Sequence, residues 1–213
     1  MRFDKLTTAF QQALQDAQST AVGRDNPYME PAHLLAAMLA QPDGPRALLE
    51  RAGAKVGALA MAMETAIDAL PQVQGGGQPV QPGRDLVLLL QAADKEATKR
   101  GDQFIASEMF LLAAADAKSD FGSVVRGHGL TRKALEAAVM AVRGGSKVDS
   151  ADAEGQRAHG AMGGGVAVAA HDRHARQRDA LLRPDDVDDA LLRREDGEVG
   201  NAELRHVALQ GFH

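Results

Sequence analysis

Tyr28-Met29-Glu30-Pro31-Ala32-His33-Leu34-Leu35 and Phe104-Ile105-Ala106-Ser107-Glu108-Met109-Phe110-Leu111 decide the fold, because the two stretches stand 76 positions apart and agree in character. Aromatic falls on aromatic at Tyr28 and Phe104, and apolar on apolar at Met29 and Ile105 and at Leu34 and Phe110. The same ungapped shift lays Phe10 on Leu86, Leu14 on Leu90, Arg24 on Arg100, Gly53 on Gly129 and Leu59 on Leu135. Matched glycines and aromatics at one offset predict a tandem repeat of a helical unit whose two halves each bury a local apolar face. The paired rings, Tyr28 and Phe104, are expected in equivalent and at least partly buried places.

Working outward, each half reads as four helices. Leu6, Phe10, Ala13, Leu14, Ala17 and Ala21 recur at helical spacing up to Gly23. Pro31 suits a first helical position and opens a short apolar helix through Leu39. A third helix runs through Leu48 and Leu49 to Gly53, and a fourth through Leu59, Met63, Ala66 and Leu70 is closed by Pro71. Gln72 to Pro82, rich in Gly, Gln and Pro, reads as a linker. The pattern then repeats through Leu86 to Ala97, Met109 to Ala115, Val124 and Val125, and Leu135 to Val142. The fold class is all-α: two four-helix units, about 4–71 and 81–143, in a pseudo-two-fold arrangement.

Composition sharpens this reading. Hydrophobic residues make up 45% of the 213, yet aromatic ones only 3%, so the core is built from Leu, Ala, Val and Met, which favours helix–helix packing. A net charge of −5 argues against nucleic acid as a partner. The absence of cysteine excludes disulfides and thiolate metal sites. The amphipathic start Met1-Arg2-Phe3-Asp4-Lys5 is no signal peptide, and the longest apolar run, Gly163 to Ala170, is too short to span a bilayer. The expected protein is soluble, cytoplasmic, free of membrane and monomeric in isolation. Beyond about Gly145 the character changes: no lysine follows Lys147, and Arg, Asp, Ala, Gly and His become dense. Residues 146–213 are therefore expected to form a poorly ordered tail.

Arg2-Phe3-Asp4-Lys5-Leu6-Thr7 with Phe10, Glu30-Pro31-Ala32-His33-Leu34-Leu35, Leu70-Pro71-Gln72-Val73, Asp94-Lys95, Lys99 through Ile105, Ser107-Glu108 and Arg143-Gly144-Gly145 together resemble the N-terminal Clp repeat domain of the ClpB disaggregase family. The likeness runs through about Arg157. It implies a substrate- or adaptor-recruitment domain that captures unfolded or aggregated polypeptide for an ATPase ring. It also implies substrate contacts near Thr7, Asp102 and Glu108, beside an apolar groove. Carboxylates that attract a client's Lys and Arg are expected on one exposed surface. The alternative is a regulatory partner that docks on a Clp adaptor or ring. From Ala158 to His213 the sequence is unlike the family's connector, whether through a frame disruption or as a natural short form; the downstream DNA read in all frames distinguishes these.

Enzymatic chemistry finds no footing in the residues. No G-x-x-x-x-G-K-[ST] motif occurs, so no phosphate cradle with its lysine is encoded, and neither a nucleotide cofactor nor ATP hydrolysis is expected. No nucleophile–base–orienter set stands out, and no catalytic residue is assigned. Asp185, Asp186, Asp188 and Asp189 read as a solvated charge run. His171 and His174 lack a third ligand, Gly163-Gly164-Gly165 lacks the setting of a phosphate loop, and no metal is expected. His33, beside Leu34 and Leu35, reads as a packing residue.

Overall fold

The computed structural model describes residues 3–41, 45–73 and 79–157. The chain divides into two units, Met1–Ala169 and Ala170–His213, and all described residues belong to the first. The expected disorder of the tail beyond Arg157, His171 with His174, the glycine run at 163–165 and the aspartate run at 185–189 lie outside the described residues.

A 3-10 turn at Phe3–Lys5 precedes α1 (Thr8–Gly23), β1 (Tyr28–Met29), α2 (Pro31–Ala40), α3 (Arg46–Arg51) and α4 (Val56–Asp68). The second half supplies β2 (Gln81–Pro82), α5 (Arg84–Arg100), α6 (Ser107–Asp116), α7 (Asp120–Gly127) and α8 (Arg132–Arg143). The 76-residue shift carries α2 onto α6 end for end, and the other three helices follow within a few residues. Thr7, Ser119 and Thr131 cap α1, α7 and α8, each accepting from the backbone N–H three residues on.

The duplication shows most clearly in the strands. Met29 of β1 lies opposite Pro82 of β2, and Leu6 makes a parallel bridge with Ile105. The shift that turns Leu6 into Pro82 also turns Met29 into Ile105, so these are one contact made twice. Each half lends the residues before its first helix to the strand of the other. The end of the linker read from sequence, Gln81 and Pro82, is therefore part of the scaffold. The two halves also meet at Gly53 and Gly129, whose φ angles are +83° and +95°. A Cβ at Gly129 would lie 3.0 Å from the Gly53 carbonyl oxygen.

α2 and α6 are buried along almost their whole length, as helices apolar all round should be. Phe10 of α1 and Phe110 of α6 have no exposure and meet with ring centroids 6.2 Å apart. Leu34, Leu35 and Met38 of α2 pack with Leu59, Met63 and Ile67 of α4 in the same core. Each large apolar side chain so buried stabilises the fold by roughly 1.5–3 kcal/mol. The Leu86–Leu90 run divides: Leu86, Leu89 and Leu90 join the core, while Leu88 is exposed. Tyr28 departs from expectation. It and Phe104 hold equivalent positions in the repeat, but Phe104 is half-buried and Tyr28 is 55% exposed. On a two-residue strand, one side chain faces the core, and Met29 takes that place.

Packing does not stop at Gly145, where the sequence places the edge of the domain. Val148 is fully buried, and its carbonyl accepts from Gln103 N (2.9 Å) and Phe104 N (3.1 Å). The Ala151 carbonyl accepts from Thr8 N at 2.8 Å. An isolated apolar residue such as Val148 in a polar stretch carries no periodicity, so composition alone hides this return to the core. No helix of the described residues is long and apolar enough to cross a membrane.

Candidate functional site

The 76-residue shift makes the N-termini of α2 and α6 comparable, and the chain treats them differently. At α2, Glu30 N donates to His33 Nδ1 (2.9 Å), which leaves the proton on Nε2, facing Asn26 Oδ1 at 3.0 Å. Asn26 Nδ2 in turn donates to the Pro71 carbonyl. Burial, ahead of the neighbouring Arg24 charge, holds His33 below its ordinary pKa, so it is the neutral packing residue its setting suggests. The Glu30 carboxylate rests against Gly83, where a Cβ would overlap it. Only glycine admits so close an approach.

At α6 the equivalents of Asn26, Glu30, Ala32, Ile67 and Gly83 are Asp102, Ala106, Glu108, Arg143 and Thr7. The three residues expected at the binding site are thus brought together from the start of α1, the loop after α5 and the first turn of α6. Arg143, at the end of α8, joins two of them. Its Nε donates to Glu108 Oε1 at 2.8 Å and its Nη1 to Asp102 Oδ2 at 2.7 Å. Arg143 Nη2 is buried without a partner among the described residues.

The exposed carboxylate surface expected from sequence is not what forms. The Asp102 side chain has 0% exposure, Glu108 7% and Arg143 5%, and Thr7 is fully buried. The reason is charge pairing: two carboxylates flanking one guanidinium satisfy each other's hydrogen bonds, which permits burial that neither would tolerate alone.

Residues 146–157, called here the strap, cover the cluster. Val148 N donates to Asp102 Oδ1 (3.0 Å), and Arg157 Nη1 donates to Glu108 Oε1 (3.0 Å). Glu154 is the centrepiece. Its Oε1 accepts from Ser107 N at 2.5 Å, and its Oε2 from Thr7 Oγ1 at 2.8 Å and Ser107 Oγ at 3.2 Å. A carboxylate at the first turn of a helix is favoured by the free N–H groups there. Glu154 and Glu108 share a hydrogen bond and one proton between them. Burial raises the pKa of Glu108, but the bond from Glu154 and the charges of Arg143 and Arg157 outweigh it and hold the group down at about 2. Burial, then the negative charge of Glu108, push Glu154 up to about 8 against the bonds from Thr7 and Ser107.

Arg143, Ser107 and Glu154 were not read as site residues. Arg143 and Ser107 entered only as parts of the family resemblance, and Glu154 lies past the edge drawn at Gly145. An apolar groove of about 450 Å³ is lined by Leu6, Leu14, Met29, Val80, Pro82 and Leu90 among others. Leu6 is the chain neighbour of Thr7.

Two four-helix units that exchange their entry strands define a helical repeat domain. The chain belongs to the Clp repeat (R) N-terminal domain family, whose pattern matches residues 5–128. It is 44% identical over 158 residues to the chaperone protein ClpB of Pseudomonas putida, covering 74% of this chain and 18% of that protein. With ClpB of Vibrio cholerae the identity is 43% over 155 residues, 72% of this chain and again 18% of the relative. The chain thus spans about a fifth of the length of these relatives. Among solved structures it resembles the Hsp104 N-terminal domain from Candida albicans (TM-score 0.62, 20% identity, 70% of this chain and 99% of that one). It also resembles the N-domain of ClpV from Vibrio cholerae (TM-score 0.55, 25% identity, 65% and 84%).

Proposed function

We propose that this chain is a non-catalytic recruitment domain that binds unfolded or aggregated polypeptide on behalf of a Clp-type disaggregase. The observation that carries the reading is an apolar groove lined by Leu6, the chain neighbour of Thr7, which converges with Asp102 and Glu108 on one network. An apolar groove rewards side chains that only an unfolded client exposes. Family membership supports a protein-binding role, and we place the chain in the cytoplasm with the chaperones it resembles.

The test uses the full chain and fluorescently labelled, reduced and carboxymethylated α-lactalbumin as an unfolded client. Binding is expected to weaken severalfold in Val80→Asp, which places a charge in the groove at a half-buried position. Equal affinity for the client and for native α-lactalbumin overturns the reading. Selective affinity for a Clp ring or adaptor, with none for the client, replaces it with the regulatory alternative.

A further inference from the structure

From the placement of the strap we infer that residues 146–157 are a cis-acting cover for the Thr7–Asp102–Glu108 surface, held shut by Glu154. Its value as a cover for a client site rests on the function proposed above. Every one of the three site residues is engaged by the strap: Thr7 by Glu154, Asp102 by Val148 N and Glu108 by Arg157. A polypeptide cannot reach these groups while the strap is docked.

Comparison of the two halves shows why the strap is required. The first half brings its own carboxylate, Glu30, to the start of α2. The second half has Ala106 at the equivalent position and Ser107 where the first has Pro31, so a free N–H stands at the start of α6 with no neighbouring carboxylate to meet it. Glu154 meets that N–H from 47 residues away. The Thr7–Ser107 notch thus receives a carboxyl group, and the strap supplies it.

The latch is also sensitive to protons. Glu154 faces Thr7 from the α1 entry, Ser107 and Glu108 from α6, Arg143 of α8 through Glu108, Asp102 through Arg143, and Arg157 within the strap. Glu108 stays ionised throughout the ordinary range, so its charge repels Glu154 whenever Glu154 loses its proton. A group whose docked pKa lies above its free value stabilises docking fully below the free value, 4.5, and loses that contribution as pH rises through about 8. One proton linked to docking sets a ceiling of about tenfold per pH unit on the weakening.

The experiment follows amide hydrogen exchange in the full chain, as protection factors, at pH 6 and pH 8. Thr8, Gln103 and Phe104 report docking because their N–H groups donate to strap carbonyls. Mid-helix amides of α6 serve as the folding control. Wild-type protection at the three reporters is expected to fall between pH 6 and pH 8. Glu154→Gln, which mimics the protonated acid, holds the protection at both values, and Glu154→Ala loses it at both. Labelled unfolded α-lactalbumin is then expected to bind Glu154→Ala more tightly than Glu154→Gln. Reporter protection in Glu154→Ala equal to wild type overturns the latch. A strap that opens without changing client affinity overturns its role as a cover. A strap that responds as expected while no client binds to any variant upholds the latch and overturns the function proposed for the surface.

Discussion

Arg143→Met is the most informative single substitution, because it leaves the volume and removes the charge that makes the cluster possible. Asp102 would remain buried with Val148 N, and Glu108 with Arg157 Nη1 and Glu154. Breaking a buried ion pair by removing one partner costs about 3–5 kcal/mol, and the surviving bonds argue for the lower end. With a urea m-value of about 2 kcal/mol per molar, a loss of about 3 kcal/mol lowers the midpoint by about 1.5 M. The pH dependence adds a second signature. In the wild type Glu108 is held below its unfolded value of 4.5, so its contribution is present above pH 4.5 and is lost as pH falls toward about 2. Without Arg143 that shift shrinks, so the deficit of the variant is full at pH 7 and narrows below pH 4.5. Had the carboxylates lain on an open surface, as the sequence suggests, the substitution would stay within about 0.5 kcal/mol. A midpoint within 0.3 M of wild type at pH 7, by the scale of surface substitutions, refutes the buried cluster.

Phe10→Ala is expected to cost about 3–5 kcal/mol in the same urea assay, since the ring is fully buried against Phe110. Tyr28→Ala, at an exposed position, is expected to stay within about 0.5 kcal/mol. A chain ended after Gly145 is expected to melt below one ended after Arg157, because burial of Val148 alone contributes roughly 1.5 kcal/mol. Equal melting temperatures by circular dichroism would show that the strap adds nothing to the fold.

The repeat was legible because it rests on signals with a period: apolar residues at helical spacing, and glycines and rings recurring at one offset. The strand exchange was not, because two-residue strands such as Tyr28–Met29 and Gln81–Pro82 are too short to show alternation. The residue types of the site were legible through the family resemblance, but their state was not. Whether Asp102 faces water or a guanidinium depends on Arg143, 41 residues away, and no local pattern carries that distance. The strap was hidden for a different reason. Its hold on the domain comes from one apolar side chain and a handful of polar bonds, so its composition resembles that of a segment with no core at all.

If the strap docks because the second half lacks a carboxylate of its own, giving it one should make the strap dispensable. The first half supplies the template: Glu30 before α2, with Gly83 leaving room for its carboxylate. The equivalent change is Ala106→Glu together with Thr7→Gly, since Thr7 stands where Gly83 gives clearance. Thr7 also caps α1, but exchange of a capping threonine for glycine costs only a few tenths of a kcal/mol. Met109→His completes the copy of the Glu30–His33 pairing. The triple variant is expected to fold, with mid-helix exchange in α6 unchanged, while the Gln103 and Phe104 amides lose their protection at pH 6. The supplied carboxylate would fill the space before the first turn of α6 that Glu154 now fills, as Glu30 does beside Gly83, and the nearer one wins because it has no loop to close. Protection that persists at Gln103 and Phe104 in a folded variant would mean that Val148 and the Asp102 bond suffice to hold the strap. Glu154 would then be a passenger and not the latch.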